Sequence, residues 1–421
     1  MLTPRFKLSQ DENHVFFTVH APYTNVSNTE IDIEGHNFLF VSSPYFLRLR
    51  LPGKIVDNDN SKVTYASSTG DFTMTFDKET PGETFENLDM ITSLLAPRDI
   101  PDINPTLVET LDEDGIITVE DGEQPEANSE VSGHGYGFAN KTFTQFRDIG
   151  TEFPQIFDLR NPEDVPIAER NKLRVHHENS RFSANHYLAD YFDTELINPY
   201  IESKIYWDVP DFNANISFTD DEISLLKELP NKSYLLTKTE YNMVMNGLVD
   251  ILFGYCYDKR TTLNESTIES SWTINKLSAT LGWFCSFSEL KDVIISGYRR
   301  SLTYPIFRNF KLSEKVKGDL TLLFKHGKRL IVRCLIDIHQ MFNSSNDARY
   351  ILNQLFIKDY LVFIQKVRSQ KIQDLHMNLA NMEIKKADLC MEIEELEFAA
   401  NLVHLENWTL YILLLSCDHL F

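Results

Sequence analysis

Two residue runs could do chemistry. His176-His177-Glu178 sets three potential metal ligands side by side, and Gly133-His134-Gly135-Tyr136-Gly137-Phe138 is rich enough in glycine to cradle phosphate. Neither spacing supports that chemistry. Adjacent residues on a helix point about 100° apart, whereas two ligands share a face at i, i+4, so the histidines read as polar helix surface and no metal is expected. The glycine run follows no strand pattern and precedes no Gly-Lys-Ser/Thr, so it lacks the frame of a phosphate loop. It reads instead as the point where a linker becomes a folded domain, with Tyr136 and Phe138 anchoring the chain. No Ser/His/Asp order and no paired carboxylates stand out, so no enzyme, catalytic residue or cofactor is expected. Arg170, Arg174, Glu178 and Arg181 recur at steps of three and four and share one helix face. That face is either a salt-bridge stripe, worth only ~0.2–1 kcal/mol per exposed pair, or part of a surface that shapes a protein contact.

The elements that would hold these residues change character along the chain. Before residue 96, His14–His20, Glu30–Glu34 and Asn37–Val41 are short apolar or alternating runs. Leu47-Arg48-Leu49-Arg50-Leu51 alternates strictly, as do Phe72, Met74 and Phe76, and turn signals separate the runs at Ala21-Pro22, Ser43-Pro44, Pro52-Gly53 and Pro81-Gly82. This pattern predicts an antiparallel β-sandwich. From Phe143 onward the period is helical. Thr219-Asp220-Asp221-Glu222 is a helix start, and helical segments are expected over Met243–Tyr257, Trp272–Phe284, Leu290–Tyr298, Val316–Phe342 and Ala348–Ser369. With no sustained heptad, these predict one packed multi-helix domain.

Charge separates the parts further. The net charge is −22. Residues 1–98 hold 8 basic and 13 acidic residues, residues 99–140 none and 11, and residues 141–421 hold 32 and 38. The acidic, proline-bearing stretch cannot bury enough apolar surface to offset its ordering entropy, so at least residues 109–132 are expected to be a flexible, extended linker. Such a balance reads either as solubility alone or as a surface that repels nucleic acid and favours a basic protein partner. Residues 231–380 are locally basic, with 21 Lys/Arg against 13 Asp/Glu, so only some faces of the helical part can present acidic charge. Five widely spaced cysteines without a C-x-x-C pair fit buried thiols in a reducing compartment. The longest apolar run, Trp408–Leu415, falls short of a bilayer span, and no segment resembles a signal peptide. A soluble, intracellular protein is expected.

Pro4-Arg5-Phe6, Gln10-Asp11 and Ser43-Pro44-Tyr45-Phe46-Leu47-Arg48-Leu49-Arg50-Leu51-Pro52 resemble a CS domain, the sandwich shared by small heat-shock proteins and their cochaperone relatives. The ordered motifs Phe85-Glu86-Asn87-Leu88-Asp89, Tyr136-Gly137-Phe138-Ala139-Asn140 and Phe157-Asp158-Leu159-Arg160-Asn161-Pro162 extend the likeness. Glu169-Arg170, Arg174, Glu178, Phe182, His186-Tyr187-Leu188-Ala189-Asp190 and Met391–Glu397 follow in the order of the Shq family, the assembly chaperones of H/ACA ribonucleoproteins. The resemblance covers essentially residues 1–400. It implies a CS sandwich over 1–96, the acidic linker over 97–135, a Shq-specific helical domain over 136–404 and a tail over 405–421. The apolar end, Leu405–Phe421, departs from the polar or acidic tail expected of that family.

The resemblance further implies that the helical domain clasps dyskerin, the pseudouridine synthase of H/ACA particles, over its RNA-binding surface as an RNA mimic. The ATPases pontin and reptin would assist release, in nucleoplasm and cytoplasm. No direct nucleic-acid or membrane binding is expected. Candidate partner-binding residues are Phe6, Gln10 and Lys78 in the sandwich, and Tyr136, Phe138, Arg170, Arg174, Glu178, Tyr187 and Asp190 in the helical part. Phe6 is either half-buried packing or a contact patch. The likeness to CS cochaperones carries an alternative, a general cochaperone of the ninety-kilodalton heat-shock protein. Arg299-Arg300 and Lys325–Arg329 are the nearest approach to a basic nuclear signal.

Overall fold

A computed structural model of the chain describes all residues except 1–2, 25–28, 59, 96–107, 112–115, 120–132, 144–148, 211, 213–215, 231 and 404–421. The tail expected over 405–421 therefore lies outside the described residues. The chain forms two compact units that do not follow sequence order. One gathers Met1–Thr118 with Ser217–Leu235 and Leu361–Val367; the other gathers Val119–Ile216, Leu236–Tyr360 and Arg368–Phe421.

The first unit contains β1 (Arg5–Gln10), β2 (His14–His20), β3 (Glu30–Glu34), β4 (Asn37–Ser42), β5 (Tyr45–Arg50), β6 (Ile55–Val56), β7 (Lys62–Ala66) and β8 (Asp71–Lys78). They form two antiparallel sheets, one in the order β1-β2-β8-β6 with β7 also on β8, the other in the order β3-β4-β5. Alternation decides which side chains face inward. Leu47 and Leu49 are buried while Arg48 and Arg50 are exposed. Between the sheets, Phe17 stacks on Phe38 at 4.2 Å and Phe40 meets Phe72 edge-on at 5.1 Å. Each such side chain contributes roughly 1.5–3 kcal/mol by leaving water. Strand β7 was not evident from sequence because almost all of it is exposed and carries no alternation.

Two further strands, β9 (Val108–Leu111) and β10 (Ile116–Val119), fall inside the acidic stretch and form a third sheet with β11 (Tyr234–Thr237), in the order β11-β10-β9. The stretch over 109–132, expected to be a flexible, extended linker, thus holds paired strand residues, in keeping with the strand-forming composition of its Val-Glu-Thr-Leu and Ile-Ile-Thr-Val runs. Of residues 97–135, only these strands and residues 133–135 are described.

The helices, in chain order, begin with α1 (Ile91–Leu94), α2 (Ile149–Glu152), α3 (Ile167–Arg181), α4 (Ala184–Phe192), α5 (Thr194–Glu202) and α6 (Asp220–Glu228). There follow α7 (Lys238–Thr261), α8 (Ser270–Leu277), α9 (Ala279–Trp283), α10 (Leu290–Thr303) and α11 (Phe310–His326). Then come α12 (Lys328–Ser344), α13 (Tyr350–Leu352), α14 (Lys358–Lys366) and α15 (Ser369–Asn381), with a last helix over 393–403. Thr219 and Glu222 close a capping box on α6, and Thr237 and Glu240 do so on α7. In the second unit α7 is central, packed by α8, α10 and α11 and buried nearly throughout from Val244 to Arg260. The single helix expected over Val316–Phe342 is two, because Gly327 takes φ +86°, a left-handed conformation that ends α11. The segment expected over Trp272–Phe284 likewise breaks at Ser278, whose side chain caps α9. Cys256, Cys285 and Cys334 are buried free thiols and Cys390 is exposed.

Candidate partner-binding site

The helix face read from the spacing of Arg170, Arg174 and Glu178 lies inside the second unit. Glu178 is fully buried and accepts from three arginines. Arg174 Nη1 reaches its Oε1 at 2.7 Å, Arg299 Nε its Oε2 at 2.8 Å, and Arg300 Nη1 its Oε1 at 3.3 Å. Arg300 also donates to Asp158 Oδ2 at 3.3 Å, and Lys276 pairs with the same carboxylate. Arg299 continues to Asn179 Oδ1 at 2.7 Å and to the Leu389 carbonyl. Burial alone would raise the Glu178 carboxyl, but Arg174, Arg300 and Arg299 outweigh it and hold it below the usual range. Asp158 is lowered in the same way, against its burial, by Arg300 and Lys276. One carboxylate thus joins α3 to α10, and Arg299 carries the link to the turn before the last helix.

Arg170 is buried without a carboxylate. It donates to four carbonyls: Val165 at 3.3 Å, Phe284 at 3.1 Å, Gly135 at 2.8 Å and Pro162 at 2.7 Å. Burial pulls its pKa down to about 10. The glycine run is therefore held by an arginine from α3. Tyr136 meets Phe284 edge-on at 5.5 Å, and Phe138 meets Tyr360 at 5.0 Å. Gly137 adopts φ +75°, and a Cβ there would lie 2.8 Å from Thr142 Oγ1 and 3.1 Å from the Leu355 carbonyl, so this glycine is required. On α4, Tyr187 donates to Glu397 at 2.5 Å and Asp190 accepts the Arg308 N–H at 2.7 Å, fastening α4 to the last helix and to the start of α11. Burial, then the Glu397 bond, raises the Tyr187 pKa.

In the sandwich, Gln10 Oε1 accepts from Lys78 Nζ at 2.9 Å and from the Phe85 N–H at 2.8 Å, while its Nε2 donates to the Phe85 carbonyl at 2.6 Å. Lys78, 5% exposed, also donates to the carbonyls of Asp11 and Glu83 at 2.6 Å each. Phe6 is 4% exposed.

Nine of the ten candidate partner-binding residues are therefore buried, and Gln10 is half-buried. A side chain without exposed surface does not touch a partner, and the bonds these residues make are internal: they hold segments of the chain together. His176 is exposed, His177 half-buried and Glu178 buried, so the three point apart; among the described residues no cluster of His, Cys, Asp or Glu could hold a metal. Among those residues, too, no helix is long and apolar enough to cross a membrane. Arg299 and Arg300, read as a weak import signal, are buried in the Glu178 cluster, where no receptor reaches them. Sequence reasoning missed their role, and that of Asp158 and Lys276, because the partners lie more than a hundred positions apart.

The fold and this cluster can be set against known proteins. The model described as "SHQ1-like, CS domain" matches residues 3–95, and "SHQ1 protein, Shq1 domain" matches residues 208–393. "Protein SHQ1 homolog" of Xenopus tropicalis is 39% identical over 429 residues, spanning 97% of this chain and 71% of that protein. The chain belongs to the SHQ1 family. "Protein SHQ1 homolog" of Mus musculus is 38% identical, spanning 97% of this chain and 76% of that protein. "Protein shq1" of Schizosaccharomyces pombe is 31% identical over 94% of this chain and 96% of its own length. Among solved structures, heat shock protein 16.0 from Schizosaccharomyces pombe aligns with 21% of this chain and 96% of its own at 16% identity and a TM-score of 0.17. The match to the CS-domain model over residues 3–95, with the two antiparallel sheets observed there, makes the N-terminal part a CS-type β-sandwich; the C-terminal part is helical, as the strand and helix periods predict. Membership in the SHQ1 family supports a role in assembling H/ACA ribonucleoproteins.

Proposed function

We propose that this protein is an assembly chaperone that binds free dyskerin over its RNA-binding surface, mimicking RNA and keeping that basic surface from aggregating or taking up RNA too early. The observation that carries this reading is family membership across nearly the whole chain, both halves included. The surface chemistry supports it. On the last helix, Glu394 and Glu395 are exposed and Phe398 is 67% exposed, one helical turn on. Acids steer a basic partner and set its register, while an exposed aromatic supplies contact area that leaves water on binding. Release by pontin and reptin, and action in nucleoplasm and cytoplasm, belong to the same proposal.

The test is competition between this protein and H/ACA RNA for purified dyskerin across a salt series. Mutually exclusive binding is the expected result, and the affinity for dyskerin falls as salt rises. Simultaneous binding of both at undiminished affinity overturns the mimicry. Glu394→Lys with Glu395→Lys is expected to slow association roughly tenfold at low salt with little change in dissociation, while Phe398→Ala speeds dissociation.

A further inference from the structure

Helix α6 lies outside the sandwich in sequence yet inside its compact unit. It is nine residues long, too short to be stable alone in water. Its pattern is amphipathic: Asp220 and Asp221 are exposed, Ile223 and Leu225 are half-buried, and Leu226 and the following Leu229 are buried. It packs against α1, the short helix that follows the sandwich strands. Lys227 stands 5.6 Å over the ring of Phe6 on β1, the edge strand of its sheet. The ammonium is half-buried; burial first, then the neighbouring Arg5, pull its pKa down against the opposing pull of Asp220. Arg5 opposes a cation there, while the face of the Phe6 ring and Asp220 favour it. Leu226 and Leu229, both buried, supply the apolar part of the packing beside that lysine. At the same end, the buried Thr92 N–H donates to the buried Gln365 Oε1 at 3.1 Å across 273 positions.

We propose that the Phe6–α1 end of the sandwich is a docking site for an amphipathic helix, and that α6 is its tethered occupant. The site selects two leucines three positions apart with a lysine beside the first, laid over a phenylalanine ring. Tethering gives α6 an effective concentration on the order of millimolar, so a free helix of the same sequence does not displace it.

The test uses the full-length chain and a fluorescent peptide spanning residues 217–230. Wild type is expected not to bind the peptide. Leu226→Asp weakens the resident helix, so that variant binds the peptide in trans, and its Ile91–Leu95 amides exchange hydrogen at least about tenfold faster. Adding Phe6→Leu removes the ring under the lysine and weakens that binding roughly fivefold. Should Leu226→Asp lose its helical circular dichroism, Leu226→Ala serves in its place. The proposal is overturned if amide exchange over Ile91–Leu95 is unchanged in the folded variant, if wild type binds the peptide as well as the variant does, or if Phe6→Leu leaves peptide binding unaltered. None of these outcomes depends on dyskerin, so they are separate from the fate of the proposed function.

Discussion

The sandwich and the helical unit bury charge in opposite ways. Lys78 in the sandwich is surrounded by neutral acceptors, the Gln10 amide and two backbone carbonyls, with the Phe85 ring 5.2 Å away. Two of those acceptors, on Asp11 and Glu83, belong to exposed residues, so water stands close by. Glu178 in the helical unit is ringed by Arg174, Arg299 and Arg300 with no water-facing side. The sandwich gains its stability from an aromatic core between two sheets, and its charge is an accessory at the rim. In the helical unit the charge cluster joins α3, α10 and the approach to the last helix, and so sets their mutual register. A buried ion group is poor evidence for net stability, because desolvation offsets its attraction, but removing one partner leaves the others uncompensated. Specification of one packing arrangement is the better account of why such a cluster sits there.

That comparison is broken most directly by Glu178→Ala. Three arginines then lose their shared acceptor, and a loss of about 3–5 kcal/mol is expected in urea unfolding followed by helical circular dichroism. Glu178→Gln keeps the shape and fails nearly as badly, since the amide brings donors to a site full of donors. Acid tests the same cluster. The Glu178 pKa is depressed by folding, so its contribution is present above the ordinary carboxylate range and disappears as pH falls through the folded value.

A second buried acid sharpens the contrast by having the opposite sign. Asp258 on α7 is buried with Oδ2 unpartnered, and burial raises its carboxyl to about 6. Its folded pKa exceeds its unfolded one, so the protein is favoured while Asp258 is protonated and loses stability as pH rises from about 4 through 6. Asp258→Asn removes that slope. Stability near pH 7.5 is expected to rise by about 2 kcal/mol relative to wild type, with little change near pH 4, as read by thermal or urea unfolding at both values. An unchanged pH profile would show that water reaches the carboxylate.

How much of this could be read from sequence depends on distance along the chain. The strict Leu/Arg alternation of β5 foretells its two faces, since period two is a local property. The capping hydroxyl and acids at Thr219 to Glu222 likewise mark the start of α6. What the chain conceals is which distant segments meet. Arg174 and Glu178 are four residues apart and visible as a pair, but Arg299 and Arg300 read only as a weak basic dipeptide, because nothing local shows that they are buried. The same blindness hid the docking of α6 on α1, since its leucines predict a buried face without naming what covers it. Phe6, Gln10 and Lys78 stood out as residue types near the sandwich strands; Gln10 and Lys78 prove to bond to each other and to the segment around Phe85, while Phe6 is buried beneath Lys227.

The smallest expected effect is at that rim. Lys78→Met keeps the stem's apolar bulk and removes the ammonium together with its three hydrogen bonds. Gln10 keeps both of its bonds to Phe85, and the freed carbonyls of Asp11 and Glu83 are near enough to solvent to be rehydrated. Removing a charge that had no counterion also removes its desolvation cost, which offsets part of the lost bonding. The net loss should be about 1 kcal/mol, measured as a small shift in the sandwich's unfolding midpoint with the helical unit unaffected. A loss as large as that of Glu178→Ala would mean that the Lys78 ammonium, far from being an accessory, fixes the rim segment around Phe85 as firmly as the carboxylate fixes the helices, and the contrast between the two units would disappear.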